Sequence, residues 1–184
     1  MATKYNYQDY LQLPKDKRYE IISGDLYIVP SPHEIHQRII SNILYYLLSF
    51  VKKNKLGFIY SAPLDVLFSE ADIVQPDIIF ITSENKKIIT NDNVRGTPDL
   101  IIEILSPNTG HRDLGIKKKL YEKNGVREYW IIDPKNETVD ILTLKGNKFR
   151  GNKFHVKDAV PESCLLLSSS AVQGFRINIK DIFA

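Results

Sequence analysis

The sequence predicts an α/β (α+β) chain in which helices pack on a mixed central β-sheet. Three observations carry this. Ile35, Ile39, Ile43, Leu47 and Val51 recur every four residues, close to the period of an amphipathic helix. Apolar runs rich in Ile, Val, Phe and Tyr at 58–68, 73–82, 99–105 and 127–133 read as strands. Between the last two lies a second helical pattern, so the chain returns to the sheet through a helix.

Taken in order, "YNYQDYLQL" (5–13) predicts a short helix ending before Pro14. "RYEIISGDLYIV" (18–29) predicts a hairpin turning at Ser23-Gly24-Asp25. The long helix is expected to start with Ser31 as cap and Pro32 as its first residue, and to end at Gly57. Strands over 58–68, 73–82 and 99–105 follow. "HRDLGIKKKLYEKNGV" (111–126) is the second helix, closed by Asn124-Gly125. "REYWIID" is a strand stopped by Asp133-Pro134, "ETVDILTLKGNKF" a hairpin about Gly146, and "FRINIKDIF" a final strand. With no repeat and no linker-like tract, residues 1–184 are expected to form one domain.

Composition limits the function classes. Hydrophobic content of 43% with ten Tyr and eight Phe argues against disorder. A net charge of +3 permits contact with a polyanion without arguing for one. Cys164 is the single cysteine, so neither an internal disulfide nor a cysteine zinc site can form, and a reducing, cytoplasmic setting is expected. The polar start "MATKYNYQDY" has no leader-like apolar stretch. The apolar run "ILYYLLSFV" covers about half a membrane span.

The chemistry lies in the acids. Glu103 sits inside "DLIIEIL", where a solitary charge is costly. Asp99 and Glu103 face the same way, but four residues of strand separate their α-carbons by about 13 Å, too far to share an ion readily. Asp77 opens another apolar run, which can lie beside the first and bring its carboxylate alongside Glu103. Two carboxylates converging from neighbouring strands make a hard-oxygen site suited to Mg²⁺ or Mn²⁺. The alternative for each acid is a solvated strand end or an ion pair. Asp99 reads as a turn residue opening its strand.

Asp113, Lys117 and Tyr121 share one helix face, and the short loop "SPNTGHR" starts that helix near the end of the Glu103 strand. Lys117 can then reach the acids to orient or deprotonate a water, or else belong to a solvated basic patch with Lys118 and Lys119. Glu20 in the first hairpin is a third acid of interest. "HEIH" (33–36) has the wrong spacing for a helical zinc motif, which needs histidines four apart.

"RYEIISGDLYIV", "SPHEIHQRII", "VQPDIIFI", "PDLIIEILSP" and D(x3)K(x3)Y(x2)NGVREYWIIDP, in this order, resemble the Uma-type putative restriction endonuclease family of the PD-(D/E)XK nuclease superfamily. The resemblance runs from Tyr7 to Asp133, with a weaker echo in "VQGFRINIKDIF". It implies a restriction-endonuclease-like core in αβββαβ order, here with an N-terminal β-hairpin and small C-terminal strands. It also implies a metal-dependent phosphodiesterase centre. By this likeness Asp77 and Glu103 are metal ligands, Glu20 is an acid from the first element, Lys117 is the basic residue, and His36 matches a further family position. The superfamily signature places lysine two residues after the second acid, where this chain has Leu105. Lys117 from the following helix takes that part in this reading.

The expected function is Mg²⁺-dependent hydrolysis of phosphodiester bonds in DNA. The alternative is a nuclease-fold module that binds DNA or a protein partner without cleaving. Lys52, Lys53 and Lys55, or Lys86 and Lys87, are the expected phosphate grips. A homodimer is a further expectation, with Tyr45, Tyr46 and Phe50 as possible contacts.

Overall fold

The structure, a computed structural model, describes residues 3–159 and 165–184. Cys164 lies outside the described residues. Asn6 caps α1 (Tyr7–Leu11), which is shorter than the helix expected there. β1 (Arg18–Ile22) and β2 (Asp25–Val29) form the expected hairpin, with Arg18 opposite Val29. Ser23 and Gly24 both take positive φ, 53° and 78°, as a two-residue hairpin turn with the right twist requires.

The long helix, α2 (Glu34–Asn54), starts later than expected. His33 is its N-terminal flanking residue, in extended conformation. Ser31 and Pro32, expected as cap and first helical residue, instead line a cavity. The helix also ends earlier, at Lys55 with φ 54°, and Gly57 already belongs to the next strand. Its buried stripe of Ile39, Ile43, Leu47 and Val51 is the one the periodicity requires.

The runs 58–68 and 73–82 each break in two. β3 (Gly57–Ser61), β4 (Val66–Ser69), β5 (Asp72–Val74) and β6 (Ile78–Thr82) result. Pro63 and Pro76 stand at the breaks, where the missing amide donor ends a ladder. β7 (Val94–Arg95) and β8 (Leu100–Ile104) follow. The expected helix over 111–126 is three pieces: α3 (Gly110–Arg112), a π-helical turn (Asp113–Lys117) and α4 (Lys118–Lys123). Then come β9 (Glu128–Asp133), β10 (Thr138–Lys145), β11 (Lys148–His155), β12 (Leu166–Ser168) and β13 (Arg176–Asn178). The final expected strand stops at Asn178, whose side chain accepts from the Lys180 amide and starts α5 (Ile179–Phe183).

These strands make two larger sheets, not one. The six-stranded sheet has order β11-β10-β9-β8-β6-β3, and the five-stranded sheet β2-β1-β5-β4-β7; β12 pairs with β13. The breaks at Pro63 and Pro76 are where the chain passes between the two. β8 is central, parallel to β9 and antiparallel to β6, so Glu103 emerges at no sheet edge.

Alternation along β8 sets the site. Leu100, Ile102 and Ile104 pack on the α2 face with Ile43, Leu47 and Trp130. Ile101 packs on the opposite face with Tyr121, Tyr129 and Ile131. Glu103 shares the parity of Ile101 and so points toward α4. Phe50 packs edge-on to Phe175, while Tyr45 remains 69% exposed.

Candidate active site

Asp77 and Glu103 are interlocked through backbone amides. β6 and β8 pair with Ile78 opposite Ile102, which sets Asp77 beside Glu103. The Ile104 amide donates to Asp77 Oδ2 at 2.8 Å, and the Asp77 amide donates to Glu103 Oε2 at 3.3 Å. His36, at the start of α2, places Nε2 3.1 Å from the same Asp77 Oδ2. Among the described residues, no hydrogen bond ends on Asp77 Oδ1.

Lys117 ties the remaining acids together. Its Nζ lies 2.9 Å from Glu20 Oε1, 3.0 Å from Glu103 Oε1 and 3.4 Å from Asp113 Oδ1. The Tyr121 hydroxyl donates to that same Glu103 oxygen at 2.7 Å. Glu20 is fixed from behind by the Gln75 amide at 2.9 Å, and Tyr129 donates to the Asp113 carbonyl at 3.1 Å. Glu20, Glu103, Asp113 and Lys117 are all buried.

The structure thus brings together Glu20, His36, Asp77, Glu103 and Lys117, the residues singled out in the sequence. Asp99 is elsewhere, accepting from the Thr82 amide at 2.9 Å with Arg127 at 3.3 Å. Two contributors were not singled out as site residues: the carboxylate of Asp113 and the backbone of Gln75. Asp113 had a signal in its four-residue spacing from Lys117; Gln75 had none.

Charge at the site is unbalanced. Burial works against a charged Lys117, but Glu103, Glu20 and Asp113 outweigh it and hold its pKa well above the usual lysine range. It is therefore held as a cation and hydrogen-bond donor among these acids. Burial raises the Asp113 carboxyl to about 6, with Lys117 opposing and Asp77 and Glu20 adding to the rise. Glu103 is also raised, by burial first, then by Asp113, Asp77 and Glu20 against the pull of Lys117. One ammonium does not balance these acids, so their protons are held more tightly than on free carboxyls.

That donor set suits a hard divalent cation. Asp77 and Glu103 offer carboxylate oxygens on the wall of a cavity of about 520 Å³, and negative charge is in excess. Among the described residues, no three His, Cys, Asp or Glu side chains converge as a ready-made metal site.

The expected phosphate grips lie away from this cavity. Lys52 is sixteen positions along α2 from His36, or about 24 Å. Lys86 and Lys87 follow the far end of β6.

Mixed sheets flanked by helices, with Asp77 leading into β6, Glu103 on the adjacent β8 and Lys117 against Glu103 from the following helix, match a restriction-endonuclease-like fold. The family model Uma2, described as "Putative restriction endonuclease", matches residues 7–178, and the chain belongs to that family. A crystal structure of a putative nuclease belonging to DUF820 from Anabaena variabilis ATCC 29413 is similar in fold, with TM-score 0.77 and 23% identity. The match covers 97% of each chain. No curated protein matches the chain. Among the described residues, no helix is long and apolar enough to cross a membrane.

Proposed function

We propose that this protein is a divalent-metal-dependent endonuclease acting on DNA. The observation that carries the reading is the convergence of Asp77 and Glu103 from adjacent strands, with Lys117 Nζ 3.0 Å from Glu103, in one open cavity. Membership of the family described as "Putative restriction endonuclease" supports it.

Asp77 and Glu103 would hold a Mg²⁺ or Mn²⁺ ion, which when bound supplies Lewis-acid polarisation of a phosphoryl oxygen and a more acidic water. Asp77 is pre-oriented for this. Its Oδ2 is occupied by the Ile104 amide and His36, which leaves Oδ1 available to the cavity. Lys117, held charged between acids, stabilises negative charge developing on the phosphate and orients a water. Glu20 and Asp113 act as positioning residues, because both hold the ammonium rather than face the solvent. Tyr121 fixes the Glu103 carboxylate from the side away from Asp77.

Plasmid nicking with Mg²⁺ or Mn²⁺ tests this, comparing the protein with Asp77→Asn and Lys117→Ala. Metal-dependent nicking lost in both variants is the expected result. Absence of cleavage by folded wild-type protein that still binds DNA would instead favour the non-cleaving module.

A further inference from the structure

Two arginines on the cavity wall have no part in the chemistry above. Arg18 lies at the start of β1 and Arg112 in α3, both half-buried and both lining the cavity that contains Asp77 and Glu103. Each is braced on the backbone. Arg18 Nη2 donates to the Pro30 carbonyl at 2.9 Å, and Arg112 Nη1 donates to the Ile28 carbonyl at 3.2 Å. The Arg112 guanidinium also stacks on Tyr27, 4.8 Å from the ring centroid.

Among the described residues, neither arginine has a carboxylate within 4.0 Å, whereas Arg38, Arg95 and Arg127 each pair with an acid. Arg150 and Arg176 also lack such a partner, but they are not on the cavity wall. A guanidinium held by one carbonyl keeps most of its N–H fork free for an anion. The two anchoring carbonyls are two residues apart on one segment, so no more than about 7 Å separates them. That reach is comparable to the separation of successive phosphates along one nucleic-acid strand.

We propose that Arg18 and Arg112 form a phosphate-binding rim that grips neighbouring phosphodiester groups of the substrate strand and lays it across the Asp77–Glu103 cavity. The inference rests on the nuclease reading and deepens it by assigning the backbone contacts. It also moves those contacts from the lysines at the far ends of α2 and β6 to the cavity itself.

The test is fluorescence anisotropy of labelled DNA, single-stranded and duplex, with Ca²⁺ replacing Mg²⁺ and salt varied. The full chain is compared with Arg18→Ala, Arg112→Ala, Arg18→Lys and Arg112→Lys. Lys52→Ala and Lys86→Ala remove the same charge far from the cavity. Each arginine-to-alanine change is expected to weaken binding about tenfold. It should also make the dependence of log Kd on log salt shallower by about one unit. The lysine replacements should recover the salt slope but not the full affinity, and the two distant controls should shift Kd less than about twofold. Matching urea midpoints, read from Trp130 fluorescence, separate these effects from misfolding. Arginine variants that behave like the distant controls, while wild type binds and nicks, would overturn this assignment alone. Wild-type protein that binds no DNA overturns it together with the nuclease reading.

Discussion

Replacing Lys117 with methionine keeps most of its volume and removes the single charge that three buried acids share. Glu20, Glu103 and Asp113 are only 2%, 3% and 4% exposed, and their contacts to Nζ span 2.9 to 3.4 Å. Removing one partner from a buried ion cluster costs about 3–5 kcal/mol, because the charges left behind lose their compensation. For a chain of this length, that corresponds to a melting temperature lower by roughly 6–20 °C. Urea unfolding at pH 7, followed through Trp130, which is 1% exposed, measures the loss directly. The deficit should narrow towards pH 4, where the abandoned carboxylates take up protons and no longer need a cation. A loss below about 1 kcal/mol at pH 7, or one that does not change with pH, would refute the view that Lys117 compensates these acids.

The Asp113 carboxyl, raised from its ordinary 3.8 to about 6, makes the native state hold more protons than the unfolded chain between those values. Metal-free stability should therefore fall as pH rises from about 4 to 6, by about 3 kcal/mol from this group, and Asp113→Asn should remove that share of the slope in urea titrations with EDTA. A divalent cation should stabilise wild-type protein against heat, by about 2.7 kcal/mol at a hundred times its Kd, and release protons as it binds. Asp77→Asn should abolish both signals, which calorimetry in two buffers of different ionisation heat can read. Far from the cavity, Glu128 is fully buried and accepts from Trp130 Nε1 at 2.5 Å, from the Ser170 and Ala171 amides at 2.6 and 3.0 Å, and from the Ser170 hydroxyl. Glu128→Ala should cost about 3 kcal/mol or more, since several buried donors lose their acceptor; an unchanged urea midpoint would show that water replaces it.

What the sequence could carry was whatever depends on near neighbours. The four-residue recurrence from Ile35 to Val51 requires a helix with one buried stripe, and the apolar runs containing Ile101 and Ile131 require buried strands. Alternation along "LIIEI" sends Glu103 to one face with Ile101, and the spacing from Asp113 to Tyr121 puts Lys117 on the same side as both. A pairing of two such runs was enough to suggest Asp77 as the partner of Glu103.

The rest depended on how distant segments meet. The expected cap at Ser31 is not formed, since the helix starts at Glu34 with His33 flanking it, and the two long runs split because Pro63 and Pro76 send their halves into different sheets. Glu20 reaches Lys117 across 97 positions of chain, a contact that no periodicity encodes. The state of Lys117 as a cation, and the upward shifts of Asp113 and Glu103, follow from four carboxylates crowding into one cleft, an electrostatic sum that exists only after folding. Arg18 and Arg112 look like ordinary surface charges until the carbonyls of Pro30, just after β2, and of Ile28, within it, brace them. The sequence by itself determined the elements and which faces their acids take; the tertiary structure decided which charges share a cavity, because burial and distance set electrostatic energies, and both belong to the folded chain.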